Sequence, residues 1–410
     1  MSIARREFLK IVGGASVAGG LVGTSVAAVP KVSAQPGFGF ADDQVPMNAA
    51  NLCPMPNSVI AAQARYAAEL DRSLSTATRQ GIEAHKETAR GKVAAMLGIS
   101  ADELAIVRNT SEANNVIVQG MPLTEGDEVV LWDQNHPSNL VAWQVQAERV
   151  GATVKVFSVP VDAGSIDEVV DLFTAVVGDR TKVISFTHIS NVTGFRLPVA
   201  EICGAVRARK SDVHIHVDGA QTWGAVDIDL GAIECDSFSG SAHKWFLGPR
   251  EVGILYVRNA SIERIWPNIV SVPWGGTADD APVGARKFDA FGQRDDAAIA
   301  ALVDAAAYHE AITPAGIEKQ SALIANRLRE SLQELDLPFV STSNPAFTSS
   351  VIILRASRDN ASKMVEQVFI DAGVQTAAVN GFRMSPHVYN TADHVDRVVA
   401  AVQKNRTMLG

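Results

Sequence analysis

The sequence predicts an α/β protein, with a large domain around a mainly parallel seven-stranded sheet and a smaller α+β domain after it. Three observations carry this expectation. From Leu104 onward, short apolar, β-branched runs alternate with stretches of helical periodicity, the pattern of parallel strands whose crossovers cover both sheet faces. The last two runs follow one another without a helical segment, so an antiparallel edge is expected there. Between positions 266 and 292 the periodicity breaks at Trp274-Gly275-Gly276-Thr277 and Asp279-Asp280, and a different mixture of elements follows.

In chain order, residues 35–57 form a polar arm containing Gly and Pro, and 59–70 and 84–97 have helical periodicity ahead of any strand. Strands are expected at 105–107, 128–132, 153–159, 182–187, 213–217, 237–239 and 253–257. Helical segments after Ser111, Ser138, Ser165 and Pro198 separate the earlier ones. Beyond the break, 296–312 and 316–335 read as helices, 351–354 and 382–385 as strands, and 392–402 as a closing helix. The domain division is therefore 58–290 and 291–410. No internal repeat or G-x-G-x-x-G fingerprint occurs.

A chain of 410 residues with 47% hydrophobic and 20% charged residues buries a large core, which excludes a disordered or collagen-like chain. Three cysteines, Cys53, Cys203 and Cys235, are too few for a disulfide framework and lack zinc-site spacing. Residues 1–34 read as a twin-arginine export signal: Arg5-Arg6 leads a mildly apolar, glycine-broken stretch, and Val32-Ser33-Ala34 offers a cleavage site before Gln35. The alternative is an N-terminal membrane anchor, against which the glycines and weak hydrophobicity count. The expectation is a periplasmic protein without a stable membrane span, handled by the twin-arginine export machinery. Past residue 34, 32 basic and 44 acidic residues leave a net charge of −12, which repels a phosphate backbone and argues against nucleic acid.

The most informative residues are Asp218, in Val217-Asp218-Gly219-Ala220-Gln221, and Lys244, in Ser239-Gly240-Ser241-Ala242-His243-Lys244-Trp245. A carboxylate ends one expected strand and a lysine follows another. Both charges are costly there unless a ligand, or each other, compensates them. A desolvated lysine becomes nucleophilic or forms an imine with an aldehyde. Pyridoxal phosphate is the aldehyde cofactor that needs such a lysine, together with a carboxylate on its ring nitrogen. A structural Asp218–Lys244 ion pair is the competing reading. His214-Ile215-His216-Val217-Asp218 mimics a metal site, but His214 and Asp218 on one strand lie about 13 Å apart, too far to share an ion.

Across residues 48 to the last helix, these segments resemble the class V aminotransferase family of fold-type-I pyridoxal-phosphate enzymes. The likeness is isopenicillin N epimerase-like through Ser241-Ala242-His243-Lys244-Trp245 and Phe288-Asp289…Gly292-Gln293-Arg294-Asp295. The resemblance implies pyridoxal 5′-phosphate, Lys244 as the Schiff-base lysine and Cα proton shuttle, and Asp218 on the ring nitrogen. It places Gln221 near the phenolic oxygen, His136 stacked on the ring and Asn191 facing the cofactor. Thr110 and Ser111, where a strand gives way to a helix, would hold the phosphate through hydroxyls and free amides, with Ser241 and His243 completing the grip. Thr277 would reach the phosphate from a neighbouring subunit, implying a homodimer. Arg383 would take the substrate carboxylate with its planar fork.

Two departures bear on the reaction. Desulfurases of this family use a cysteine on a loop near the substrate arginine, but residues 373–380 contain none, so persulfide chemistry is not expected. Gln293 and Arg250 stand where the family has other residues. The expected activity is therefore chemistry at Cα of an amino acid, or of an amino-acid unit in a peptidic metabolite: transamination, epimerisation or decarboxylation. The alternative is a cofactor-binding or sensing protein on the same fold.

Overall fold

The computed structural model describes residues 37–271 and 282–410; the expected export signal and Thr277 lie outside them. The elements follow in order as β1 (Val45–Pro46), α1 (Asn57–Arg72), α2 (Thr76–Met96), β2 (Leu104–Val107), α3 (Thr110–Gly120), β3 (Glu128–Trp132), α4 (Pro137–Val150), β4 (Thr153–Phe157) and α5 (Ile166–Ala175). Next come β5 (Thr181–Thr187), α6 (Val199–Arg209), β6 (His214–Asp218), β7 (Ser237–Ser241), β8 (Gly253–Val257) and the short α7 (Asn259–Ile262). The remainder is α8 (Asp296–Ala300), α9 (Leu302–Ile312), α10 (Pro314–Glu334), β9 (Ile352–Leu354), α11 (Arg358–Ala372), β10 (Val374–Gln375), β11 (Ala377–Ala378), β12 (Phe382–Met384) and α12 (Ala392–Lys404).

Seven strands form one sheet in the order β2-β8-β7-β6-β5-β3-β4. Strand β8 runs against both β2 and β7, while the other neighbours are parallel. The antiparallel strand is therefore present, but it is not an edge: β2 covers its outer side, and every residue of β8 is buried. Because β2 opposes β8 and β8 opposes β7, six strands end at the same edge, where ligands of open α/β sheets bind. That edge collects Thr110, His136, Asp218 and Lys244.

The described residues form one compact unit with distinguishable cores. The C-terminal core packs α10, α11 and α12 on the three-stranded sheet β11-β12-β9. The arm joins it, since Val45 and Met47 lie in that core and β1 pairs parallel with β10. Helices α8 and α9, expected as one helix of the C-terminal domain, are two helices and share the core of the large sheet. Among the described residues, no helix is long and apolar enough to cross a membrane.

Candidate active site

Strands β6 and β7 are unusual for the middle of a parallel sheet, which is ordinarily an unbroken apolar run. They read His-Ile-His-Val-Asp and Ser-Phe-Ser-Gly-Ser, and all ten residues are buried. Period-two alternation sends Ile215, Val217 and Phe238 into one core and gathers His214, His216, Asp218, Ser237 and Ser239 on the other face. Helix α3 covers that face. Asn109 caps it, its Oδ1 accepting from Glu112 N at 3.0 Å, and Thr110 and Asn114, one turn apart, point the same way. Thr110 N and Oγ1 meet Ser241 Oγ at 2.8 and 2.7 Å. Asn114 Nδ2 donates to Asp218 Oδ2 at 2.8 Å.

Asp218 is 1% exposed, and its Oδ1 accepts from Ala220 N at 3.0 Å. Gly219, between them, lies where a Cβ would collide with the Phe238 ring, so a glycine is required by close approach. Lys244 is partly buried, and among the described residues its amine makes no hydrogen bond or ion pair. The ion pair with Asp218 considered from the sequence is thus not formed. Burial holds the Lys244 ammonium below the usual lysine range, Arg383 adds to the effect, and Asp218 opposes it. Asp218 and Arg383 are thus charges that act on the Lys244 amine.

Arg383, on β12, is 4% exposed and has no carboxylate partner among the described residues. Its Nη1 donates to Asn191 O at 3.2 Å and its Nη2 to Asn48 Oδ1 at 3.3 Å, while Nε is buried without a partner. Burial pushes it down to about 10. A buried guanidinium with an orphaned donor is costly unless an anion completes it. His136 caps α4, its Nδ1 accepting from Ser138 N at 3.2 Å. Packing around its ring, then the Lys244 charge, holds it below the ordinary histidine value, with Asp218 opposing. The sheet edge and β12 therefore present a lone amine, a buried carboxylate, an unneutralised guanidinium and an imidazole. This donor set fits a phosphorylated pyridine aldehyde and an amino-acid carboxylate.

The family model described as aminotransferase class-V matches residues 49–398. The chain belongs to the class-V aminotransferase family. Isopenicillin N epimerase of Amycolatopsis lactamdurans is 31% identical over 342 residues, covering 77% of this chain and 84% of that one. A cysteine desulfurase of Salmonella typhimurium is 28% identical over 386 residues, covering 87% and 91%. The apo structure of a cysteine desulfurase from Thermococcus onnurineus superposes with a TM-score of 0.80 at 20% identity, covering 93% of this chain and 99% of that chain. This class-V protein is a pyridoxal 5′-phosphate-dependent enzyme of fold type I.

The class-V fold brings most of the sequence-selected residues to one sheet edge. Gln221 is fixed, its Nε2 donating to Ala50 O at 3.0 Å and its Oε1 accepting from Trp245 Nε1 at 2.7 Å. Asn191 contributes its carbonyl to Arg383, and the turn after it needs Gly194 at φ 74°, packed where a Cβ would strike Val351 O. His243 accepts at its carbonyl from Cys53 N at 2.9 Å, and burial, then Lys244, brings its ring down to about 4. Ser111 is exposed on the first turn of α3. Sequence reasoning missed Asn114 and Asn48. The alternation in β6 and β7 was the available signal for Asn114, because a polar strand face in a buried sheet needs a polar partner.

Proposed function

We propose that this class-V enzyme acts at Cα of an amino acid, or of an amino-acid unit in a peptidic metabolite, by moving the Cα proton. Epimerisation is the reading we favour. The observation that carries it is the unpaired Lys244 amine set beside Asp218 and the uncompensated Arg383. When bound, pyridoxal 5′-phosphate supplies an aldehyde that condenses with amines and an electron-withdrawing ring that permits cleavage of a bond at Cα. Arg383 grips the substrate carboxylate and sets Cα over the crevice. Lys244, its ammonium destabilised by burial, would take the proton from one face of Cα, and inversion requires a proton returned to the opposite face. Asp218 would face the pyridine nitrogen and favour a positive charge there, and His136 would stack on the ring.

Likeness to the Amycolatopsis epimerase supports proton return to Cα over loss of the amine. Persulfide chemistry is disfavoured: β11 pairs with β12 beside Arg383 and carries no thiol, and burial pushes Cys53 up to about 12. The test is incubation of the loaded enzyme with a panel of amino acids and peptides in deuterated water. Exchange of the Cα hydrogen with inversion and without keto acid is expected. Stoichiometric keto acid would move the assignment to transamination, and released carbon dioxide to decarboxylation. We also place the enzyme in the periplasm as a homodimer. Arg5-Arg6 supports export, and secreted protein whose mass still included residues 1–34 would count against cleavage near Gln35.

A further inference from the structure

The polar face of β6 and β7 contains more than Asp218. His214 Nε2 meets Ser237 Oγ at 2.9 Å, Ser237 Oγ meets His216 Nδ1 at 2.8 Å, and His216 Nε2 meets Asn114 Oδ1 at 2.9 Å. Ser239 Oγ donates to the same Asn114 oxygen at 2.7 Å, and Asn114 Nδ2 donates to Asp218 Oδ2 at 2.8 Å. His214, His216, Asn114, Ser237 and Ser239 are all 0% exposed.

Donor and acceptor inventory fixes the direction of every link. A carboxylate only accepts, so the Asn114 amide must turn its Nδ2 to Asp218 and its Oδ1 to Ser239 and His216. His216 must then carry its proton on Nε2. Burial keeps it neutral, down to about 3, so its Nδ1 accepts and the Ser237 hydroxyl donates. Ser237 retains a lone pair for the Nε2–H of His214. The chain ends on the bare His214 Nδ1, which has no partner among the described residues; an orphaned acceptor is more tolerable than an orphaned N–H.

We propose that His214, Ser237, His216 and Asn114 form a one-directional hydrogen-bond chain, with Asn114 its terminal positioning residue, that holds the Asp218 carboxylate aimed at the cofactor's ring nitrogen. All four links point their donors toward Asp218, and aligned hydrogen bonds in a dry interior reinforce one another. With Asn114 and Ala220 N each filling one carboxylate site, lone pairs remain for a ring N–H. The proposal rests on the cofactor reading of the site, while its geometry belongs to the protein alone.

Selective 15N-histidine labelling of the full-length protein without cofactor reports ring tautomers, with His216 assigned by its loss in His216→Gln. The chain requires the Nε2–H tautomer for His216 at neutral pH; the Nδ1–H form would overturn it. With cofactor, Asn114→Leu should raise the dissociation constant of pyridoxal phosphate about tenfold or more and shift the pH midpoint of its absorbance band. His216→Gln, which keeps an N–H donor, should retain binding within a few-fold, whereas His216→Leu should behave like Asn114→Leu. Unchanged affinity and absorbance in folded Asn114→Leu would sink the proposal. A wild-type protein without a cofactor band would instead strike at the role of Lys244, and the tautomer measurement would still decide the chain.

Discussion

Arg383 is a buried positive charge that acts on Lys244, with a peptide carbonyl and an amide oxygen as its acceptors. That arrangement suits a ligand that supplies its own carboxylate and is hard to explain as scaffolding. Arg383→Ala should raise KM for the amino acid about tenfold to a hundredfold, the range for a lost hydrogen bond to a charged group, while the cofactor band stays intact. A titration of absorbance and rate against substrate checks both, and lost colour would contradict the role. Asp218 and Lys244 were legible as single residues because a charge at the end of an apolar run is chemically conspicuous, whereas His136 and Arg383 were picked out through the family resemblance. Asn48 and Asn114 were not: asparagine is common in caps and turns, and what distinguishes these two is a partner 335 and 104 positions away.

Among the elements, β2 is the least conspicuous and the most consequential, since α3 leaves from its end. A clamp fixes it. Asp289 accepts from Ile106 N at 2.8 Å, from Arg90 Nη1 at 3.0 Å and from Lys86 Nζ at 3.1 Å, and Arg90 also donates to Leu104 O. Arg294 adds a bond to Ile106 O at 2.6 Å. The Phe288-Asp289…Arg294 segment thus acts by tying β2 to α2. Asp289→Asn leaves the Arg90 guanidinium, 1% exposed, with Glu87 as its remaining charge partner, and should destabilise the fold by about 1.5–3 kcal/mol, the range for a hydrogen bond to a charged group, read by denaturant unfolding. A change below about 1 kcal/mol would deny the clamp. Helix α11 escaped the sequence reading although Ser357 caps it and Gly373 ends it in the left-handed conformation. Only Ala361, Met364 and Val368 are buried along its 15 residues, so its apolar stripe is too thin to stand out. The break between α8 and α9 falls within Ala-Ile-Ala-Ala-Leu, which contains no stop signal.

For the molecule as a whole, the layered architecture was legible because crossover helices and buried strands impose different periods on the chain. Strand order was not, because β2 reaches its place beside β8 through pairing across roughly 150 residues, and nothing local records that. The same long-range closure assembles the crevice from strand ends on one sheet edge and from β12 of the C-terminal sheet. The account therefore depends on whether this assembled crevice takes the cofactor onto one particular amine. Purified holoenzyme treated with borohydride, digested and analysed by mass spectrometry reads this directly, because reduction makes the carbon–nitrogen link permanent. The account requires the phosphopyridoxyl mass on the peptide containing Lys244 and its disappearance in Lys244→Ala. The added mass on another lysine, or none in protein that binds pyridoxal phosphate, would contradict it.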